Sequence, residues 1–398
     1  MSQPSVAIIG GGVAGLVCAN RLQQLGISQS TVFDTGKHGP GGRCSSRVVN
    51  IGGKLHVFDH SAQYFTVSDS RFAKIVSYLH RKGAVKQWKG KIGKLSKGSF
   101  EEDKNLSQAF VGRTGMHDIP RSLAENINVR VNTWVGNVSW EDSIKKWKVD
   151  KYGMFDYLVI AHNGKCADRL MASAGTPQIH TLTQVRFSDR LNVRDKRMHL
   201  CSIWALLVSF PRSLELKYEG AHVEDEDISW LANNTAKLSV SDLATGSQVE
   251  CWTVFSTRQF GTRHKCSQEN IPPNVEREVT EKLLAGVQRV TGVAQLPPPA
   301  YTRVQLWGAA LPLNVLKTRE ECVFDGLHNV GICGDWLTSP CVQGAAVSGL
   351  ALAEKIHLHH VGTNKSSTSL VPEFQAADGE VIGAFPVDSS IQFQPQSL

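Results

Sequence analysis

The sequence has no apolar run long enough to span a membrane, and none of its nine cysteines forms a C-x-x-C pair. An odd, scattered set of cysteines is typical of free thiols in a reducing compartment. The first apolar run begins by Val6, which leaves no room for a signal or transit peptide before it. We therefore expect a cytoplasmic protein with no membrane partner.

The sequence also has only a small excess of positively charged residues. The 43 basic and 36 acidic residues leave a net charge of only +7 over 398 residues, which argues against a nucleic-acid partner and mildly favours an anionic ligand. Basic residues concentrate in Arg81–Lys97, which holds seven of them and no acid. This stretch predicts a solvated hairpin or helix–strand corner. The alternative is a patch that attracts an anionic substrate.

A glycine-rich turn near the N-terminus is the most informative motif. Val6–Ile9 has the composition of a buried parallel strand, and Leu16–Leu25 has that of a helix. Between them, residues 10–15 match G-x-G-x-x-G in the context that binds the pyrophosphate of a dinucleotide. A second apolar run ends in Asp34, 24 positions after the first glycine, where a carboxylate can accept hydrogen bonds from a ribose.

A second strand–turn–helix signal lies near the C-terminus. Asn329–Cys333 predicts a buried strand that runs into Gly334 and Asp335. Val342–His360 predicts a helix that begins with small residues, so its N-terminus can approach a ligand closely. Asp335 can bind a sugar hydroxyl there, or it can simply cap a tightly packed helix–strand pair.

Two further stretches offer candidate ligand contacts. Gly41-Gly42-Arg43 places a guanidinium beside flexible backbone, which suits a phosphate oxygen or an ordinary surface turn. Phe58–Phe65 embeds polar residues among apolar ones, which suits either a segment under a cofactor or a strand with a satisfied His60. Residues 165–311 carry four tryptophans, which can form core or the wall of a pocket for a flat ring: Trp204, Trp230, Trp252 and Trp307.

From about Val6 to His360, the chain resembles the renalases and their plant-like homologues, within the amine-oxidase type of flavoprotein oxidoreductases. The resemblance rests on the motifs above together with residues 59–65, Gly115-Met116 and residues 305–309. It implies an α/β fold: a Rossmann-type FAD-binding domain with a discontinuous parallel sheet, and a second α+β substrate domain with a mainly antiparallel sheet.

The resemblance also implies roles for individual positions. Residues near the flavin phosphates and sugars would be Gly10, Gly12, Val13, Ala14, Gly15, Asp34, Gly42, Arg43, Gly334 and Asp335. Val135 would contact adenine through its backbone, and Val342 would lie near the pyrimidine edge of the flavin. Gln63 and Trp307 would line the substrate face. No metal site is expected.

Composition changes along the chain suggest where the domains meet. The FAD-binding domain is predicted to comprise residues 1–63, 112–164 and 312–362. The substrate domain is predicted to comprise residues 64–111 and 165–311 and to cap the flavin. Residues 363–398, rich in Ser, Gln and Pro, are predicted to be a disordered tail.

The expected activity is hydride transfer from a reduced dihydronicotinamide-type substrate to non-covalent FAD, with oxygen as acceptor and hydrogen peroxide as product. No second G-x-G-x-x-G follows a strand, so such a substrate would enter the substrate site itself. An amine oxidase and a catalytically silent FAD-binding protein are the alternatives. The resemblance does not support a covalent flavin link at Cys341.

Overall fold

The computed structural model describes residues 3–104, 108–238, 249–316, 320–362 and 374–377. They divide into two compact units. The first takes its residues from 1–44, 119–200 and 312–378, and the second from 45–118 and 201–311.

The described strands, in chain order, are β1 Ser5–Ile9, β2 Gln29–Phe33, β3 Ser46–Ile51, β4 Lys54–Asp59, β5 Val85–Gln87, β6 Ile92–Ser96, β7 Ser99–Glu102, β8 Phe110–Gly112, β9 Asn128–Arg130, β10 Val138–Glu141, β11 Lys146–Val149, β12 Gly153–Phe155, β13 Tyr157–Ile160, β14 Val185–Phe187, β15 Met198–Phe210, β16 Gly220–Val223, β17 Ile228–Asn233, β18 Glu250–Ser256, β19 Tyr301–Pro312, β20 Asn314–Leu316, β21 Val323–Asp325, β22 Val330–Ile332 and β23 Phe374–Ala376.

The described α-helices are α1 Val13–Gln24, α2 Ser70–Arg81, α3 Asp118–Ala124, α4 Lys165–Ala172, α5 Pro177–Thr183, α6 Asn234–Leu238, α7 Arg258–Arg263, α8 Pro273–Thr291 and α9 Val342–His360. None of the helices in the described part of the chain is long and apolar enough to cross a membrane.

The first unit is built on a six-stranded sheet with the order β21-β22-β13-β1-β2-β9. All neighbours are parallel except β21, which runs antiparallel to β22 at the edge. The central strands β1, β13 and β22 are buried except at Ser5, as their apolar composition predicts. This arrangement confirms the predicted Rossmann-type sheet.

Residues 128–134 contribute only a short strand to the first unit. The strand there is β9, and it joins the parallel sheet beside β2. Strands β10, β11 and β12 form an antiparallel meander, and β13 then returns to the parallel sheet beside β1.

Small residues bring α1 and α9 into close contact. A Cβ at Gly349 would lie 2.3 Å from the carbonyl oxygen of Ala14, so only glycine fits this crossing. The backbone N–H of Gly334, just after β22, donates to Ser348 Oγ on α9 at 3.0 Å. The beginnings of both helices are thereby fixed relative to the carboxyl ends of the parallel strands, the edge at which α/β folds bind ligands.

The second unit contains a mainly antiparallel sheet with the strand order β15-β18-β17-β16-β6-β7, and β19 also pairs with β15. One face packs on α8 in a core that includes Trp204, Trp252 and Leu283. The other face, which includes Leu207, is covered by the β3–β4 hairpin through Ile51 and Phe58. Each fully buried side chain of this size contributes about 1.5–3 kcal/mol.

The basic stretch Arg81–Lys97 forms the corner from α2 into β5 and β6, as expected. Trp88, Ile92 and Leu95 are buried, while most of the basic side chains are exposed. Lys86 is the half-buried exception, and its ammonium group donates to the carbonyl oxygen of Leu238.

The two units do not follow the predicted domain limits everywhere, because residues 45–63 belong to the second unit and residues 165–200 to the first. The functional division into domains stays a prediction. Most of the predicted tail lies outside the described residues. Disorder is the wrong prediction for its β23 segment, which pairs antiparallel with β20. All nine cysteines lie in the described residues, and six of them are buried.

Candidate functional site

The glycine-rich turn adopts a backbone that its sequence requires. Gly10 has φ +114°, and a Cβ there would lie 2.8 Å from the carbonyl oxygen of Ala161. A Cβ at Gly15 would lie 2.1 Å from the carbonyl oxygen of Gly10, so this glycine sets the distance between α1 and β1. Gly12 differs, because a Cβ there would meet no described atom within 4 Å. The backbone is therefore tightly packed at Gly10 and Gly15, whereas there is space for a ligand beside Gly12.

The N-terminus of α1 lies at this open point. Gly12 is the N-cap residue, and its carbonyl oxygen accepts the first helical hydrogen bond, from Leu16 at 3.0 Å. The N–H groups of Val13, Ala14 and Gly15 precede that bond and cannot have partners within the helix. With the positive end of the helix dipole, they suit a phosphate.

Asp34 ends β2 beside the turn. Its Oδ2 accepts a hydrogen bond from the backbone N–H of Gly11 at 2.8 Å, and its Oδ1 accepts one from Gly36 at 2.7 Å. Each carboxylate oxygen can accept a further bond, so the group can hold the turn and still bind a ribose hydroxyl.

Val135 is buried in the segment between β9 and β10, not at the end of a strand. This segment runs past Asp34: the N–H of Thr133 donates to the Asp34 carbonyl oxygen at 2.8 Å, and that of Asn132 donates to Gly36 at 3.0 Å. The structure therefore brings the segment of Val135 close to the predicted ribose-binding carboxylate.

Gly42 and Arg43 begin the short 3-10 helix Gly42–Cys44 next to the turn. A Cβ at Gly42 would lie 3.7 Å from Gly12 Cα. Arg43 Nη2 donates to Asp335 Oδ1 at 2.7 Å, and the two side chains are 29% and 7% exposed. The motifs predicted separately from the two ends of the chain therefore meet in one place.

The start of α9 completes this cluster. Cys341 is its N-cap residue, and Sγ accepts a hydrogen bond from the backbone N–H of Gly344 at 3.2 Å. Burial raises the pKa of this thiol. Val342 is the first residue of the helix and is buried.

In the second unit, the segment Asp59–Gln63 is fixed to the sheet by three polar contacts. Asn234 Oδ1 accepts from the Asp59 N–H at 3.1 Å, and Thr253 Oγ1 donates to the Asp59 carbonyl oxygen at 3.0 Å. Trp307 Nε1 donates to the His60 carbonyl oxygen at 2.7 Å. The segment is therefore bound by α6, β18 and β19 together.

Gln63 and Trp307, the two residues predicted to line the substrate face, both donate hydrogen bonds to carbonyl oxygens of this segment. The amide Nε2 of Gln63 donates to the carbonyl oxygens of Asp59 and Ser61, at 2.7 and 3.0 Å. Gln63 is only 2% exposed, whereas Trp307 is half-buried. The other three tryptophans of residues 165–311, Trp204, Trp230 and Trp252, are all buried core residues.

His60 lies under Trp307, with ring centroids 5.5 Å apart and 20° between the ring planes. Burial, and then the positive charge of Arg47, lower the pKa of His60 to about 4. The ring is therefore neutral at neutral pH. Its Nδ1 is buried and has no hydrogen-bond partner among the described residues.

A buried ion pair, absent from the sequence prediction, supports the same segment. Lys237 Nζ lies 2.8 Å from Asp59 Oδ2, and both side chains are fully buried. Asp59 also accepts hydrogen bonds from Ser46 Oγ and the Met116 N–H. Burial alone would raise the pKa of Asp59, but Lys237 and these donors hold it below its usual value. One signal was available: Lys237 is the only charged residue in 228–238.

Two arginines were also missed, although they lie on the sheet face that carries Trp307. Arg47 Nη2 donates to Gln305 Oε1 at 3.2 Å, and Arg303 lies on the same strand as Gln305. The available signal was the alternation in residues 301–307, where every second residue is aromatic or polar and Val304 and Leu306 between them are apolar. Within the described ranges, no three or more His, Cys, Asp or Glu side chains are grouped to hold a metal ion.

Residues 8–79 match the family model of the NAD(P)-binding Rossmann-like domain. The chain is also similar to solved oxidase structures. Wild-type putrescine oxidase bound to putrescine is 12% identical, with TM-score 0.58 and coverage of 89% of this chain and 99% of that one. Cyclohexylamine oxidase from Brevibacterium oxydans IH-35A is 12% identical, with TM-score 0.59 and the same coverage.

Reduced UDP-galactopyranose mutase is 10% identical, with TM-score 0.62, and the match covers 93% of this chain and 96% of that one. The chain shares the overall fold of these proteins. At these identities the likeness concerns the fold alone.

Proposed function

We propose that the protein is an FAD-dependent oxidoreductase of the renalase-like kind. It would take a hydride from a reduced dihydronicotinamide-type substrate, with oxygen as the final acceptor and hydrogen peroxide as product. The observation that carries the cofactor assignment is the open space at Gly12, at the N-terminus of α1 and beside the Gly42-Arg43 turn.

The residues of the first unit fit a dinucleotide. The N–H groups at the start of α1 and the Arg43 guanidinium would bind the pyrophosphate. Asp34 would bind the adenosine ribose, and the backbone near Val135 would contact adenine. Asp335, between β22 and α9, would bind the ribityl chain, with Gly334 and Val342 beside the flavin.

Bound FAD would supply the redox chemistry, accepting the hydride and passing the electrons to oxygen. The chain's own contribution is then orientation and electrostatics. Gln63 is a positioning residue, because its amide is used within its own segment. Trp307 would contact the substrate, since its ring is half-buried and held in place by the bond to the His60 carbonyl.

The binding would be non-covalent. The nearest thiol in the sequence to the proposed flavin-edge residue Val342 is Cys341, and its sulfur caps α9. Denaturing the purified protein should therefore release intact FAD into solution. A colourless protein that takes up no added FAD would overturn the cofactor assignment.

An amine oxidase is the second candidate, favoured by the putrescine and cyclohexylamine oxidases among the similar structures. The charges beside Trp307 disfavour an amine, because Arg47 and Arg303 would repel an ammonium group. Hydrogen peroxide formation in air tests both: dihydronicotinamides should produce it and amines should not. Peroxide from neither class would favour a silent FAD-binding protein.

A further inference from the structure

One face of β19 combines aromatic and cationic side chains. Val304 and Leu306 point into the core that packs on α8. Because side chains alternate along a strand, Arg303, Gln305 and Trp307 lie on the opposite face. Tyr301 confirms this direction, since it packs with the β3–β4 hairpin on that face.

Arg47 reaches the same face from β3. Its Nη2 donates to Gln305 Oε1, while its Nε is buried and has no hydrogen-bond partner among the described residues. Burial, and next the charge of Arg303, lower the pKa of Arg47. Arg303 lies two residues before Gln305 on the same face of β19, so the Arg47 guanidinium that binds Gln305 lies near Arg303 and the two like charges repel each other.

Neither arginine forms an ion pair with a carboxylate in the described part of the chain. Asp59, the carboxylate that acts on nearby His60, is already paired with Lys237. Arginine remains protonated even when partly buried, so the repulsion is not relieved by loss of a proton. An anion between the two groups would relieve it.

His60 and Trp307 adjoin this pair of charges. His60 feels the charges of both Arg47 and Arg303, is 5% exposed, and has its Nδ1 without a partner in the described residues. Trp307 stacks on it and is fixed by its own N–H. A fixed ring beside two guanidinium forks suits a planar group that carries an oxyanion.

We propose that Arg47 and Arg303 form a phosphate subsite, and that they select a planar substrate whose phosphate binds there while its ring contacts Trp307. This inference rests on the proposed function and assigns its substrate specificity to two named residues. It places the anion-selecting charge on β3 and β19, not on the Arg81–Lys97 corner.

The test compares two probes that differ only by a phosphate, nicotinamide mononucleotide and nicotinamide riboside, by titration calorimetry on the full-length protein as purified. The mononucleotide should bind at least about tenfold more tightly, the effect of one charge-assisted contact. Nicotinic acid riboside has a carboxylate in place of the ring carboxamide and no phosphate, so it should bind no better than nicotinamide riboside. Tighter binding of that carboxylate probe than of the mononucleotide would overturn the phosphate assignment.

Arg303→Gln should remove most of the phosphate preference and leave riboside binding unchanged, because its side chain is exposed and contributes little to folding. Arg212→Gln, at another exposed position of the second unit, is the control for net charge. Arg47→Lys should keep part of the preference. Equal binding of the two probes, no binding of either, or equal effects of the two glutamine variants would overturn the subsite.

The titration does not depend on turnover. If the protein holds no flavin but the phosphate preference depends on Arg303, the proposed function fails and the subsite stands. If dihydronicotinamides yield hydrogen peroxide but Arg303→Gln binds both probes like the control, the subsite alone fails.

Discussion

Arg43 and Asp335 lie 292 positions apart in the sequence, yet their side chains form an ion pair of 2.7 Å. One follows the N-terminal glycine-rich turn, and the other follows β22 near the C-terminus. Arg43 is proposed to bind the pyrophosphate of FAD and Asp335 its ribityl chain. These two residues from distant parts of the sequence are thus in direct contact. The pair orients both groups before a ligand arrives, which lowers the ordering cost of binding.

Asp335→Asn should weaken FAD binding without unfolding the first unit. The substitution keeps the shape of the side chain but removes its charge and its ion pair with Arg43. A hydrogen bond to a charged group contributes about 1.5–3 kcal/mol, so the Kd for FAD should rise roughly tenfold or more. Flavin occupancy after dialysis measures this. Full occupancy in both Asp335→Asn and Asp335→Ala would contradict the assignment.

Gly12→Val should remove FAD while leaving the apoprotein folded. Nothing in the described structure lies within 4 Å of a Cβ at this position, so the added side chain would fill only the space proposed for the pyrophosphate. Gly15→Val is the matched comparison, because its Cβ would collide with the Gly10 carbonyl oxygen. Thermal unfolding of the apoproteins should show a loss of stability for Gly15→Val alone.

Trp307→Phe should slow flavin reduction by substrate and leave FAD bound. The phenylalanine ring keeps an aromatic surface but cannot donate to the His60 carbonyl oxygen, so its orientation is no longer fixed. Losing one neutral hydrogen bond costs about 1 kcal/mol, so the second-order rate constant for flavin reduction should fall roughly fivefold. Trp140→Phe, which removes an indole donor to Asp142 in the first unit, is the control. Identical reduction kinetics in the two variants would remove Trp307 from the substrate site.

Lys237→Met should destabilise the protein by about 3–5 kcal/mol, because it leaves the buried carboxylate of Asp59 without its counter-charge. The double variant Asp59→Asn/Lys237→Met should recover part of this loss. Urea denaturation measures both. A single variant as stable as the wild type would show that the pair is not buried in solution.

The same pair predicts a change in pH dependence. In the wild type the pKa of Asp59 is lowered on folding, so its contribution to stability is present above the unfolded pKa of about 4 and is lost as the pH falls below it. Without Lys237, burial raises that pKa above the unfolded value. The free energy of unfolding of Lys237→Met, relative to that of the wild type, should therefore fall as pH rises from 4 to 7. A constant difference over that range would contradict this.

The sequence predicted the features that depend on neighbouring residues along the chain. The turn at Gly10–Gly15, the strand before it and the helix after it form one continuous segment, as do β22, Asp335 and α9. Asp59, Lys237 and Arg47 could not be paired with their partners in this way. Their contacts join residues more than 170 positions apart and depend on how the β3–β4 hairpin crosses the sheet.

The short strand β9 shows a second limit of local sequence, because its sheet depends on a partner strand distant along the chain. Its residues Val129 and Arg130 have the alternation of a meander strand, but hydrogen bonding to β2 decides their sheet. Local composition cannot distinguish the edge of a parallel sheet from the start of a hairpin, because both bury one side of a short strand.

The central claim is that bound flavin is reduced by an anionic dihydronicotinamide, and anaerobic stopped-flow spectroscopy tests it most directly. The purified protein is mixed with NADH, NADPH, their dihydro isomers and a set of amines at two ionic strengths. The account predicts bleaching of the flavin by a dihydronicotinamide, with a second-order rate constant that falls as salt screens the attraction. Bleaching by amines alone, or a rate constant that does not change with salt, would contradict it.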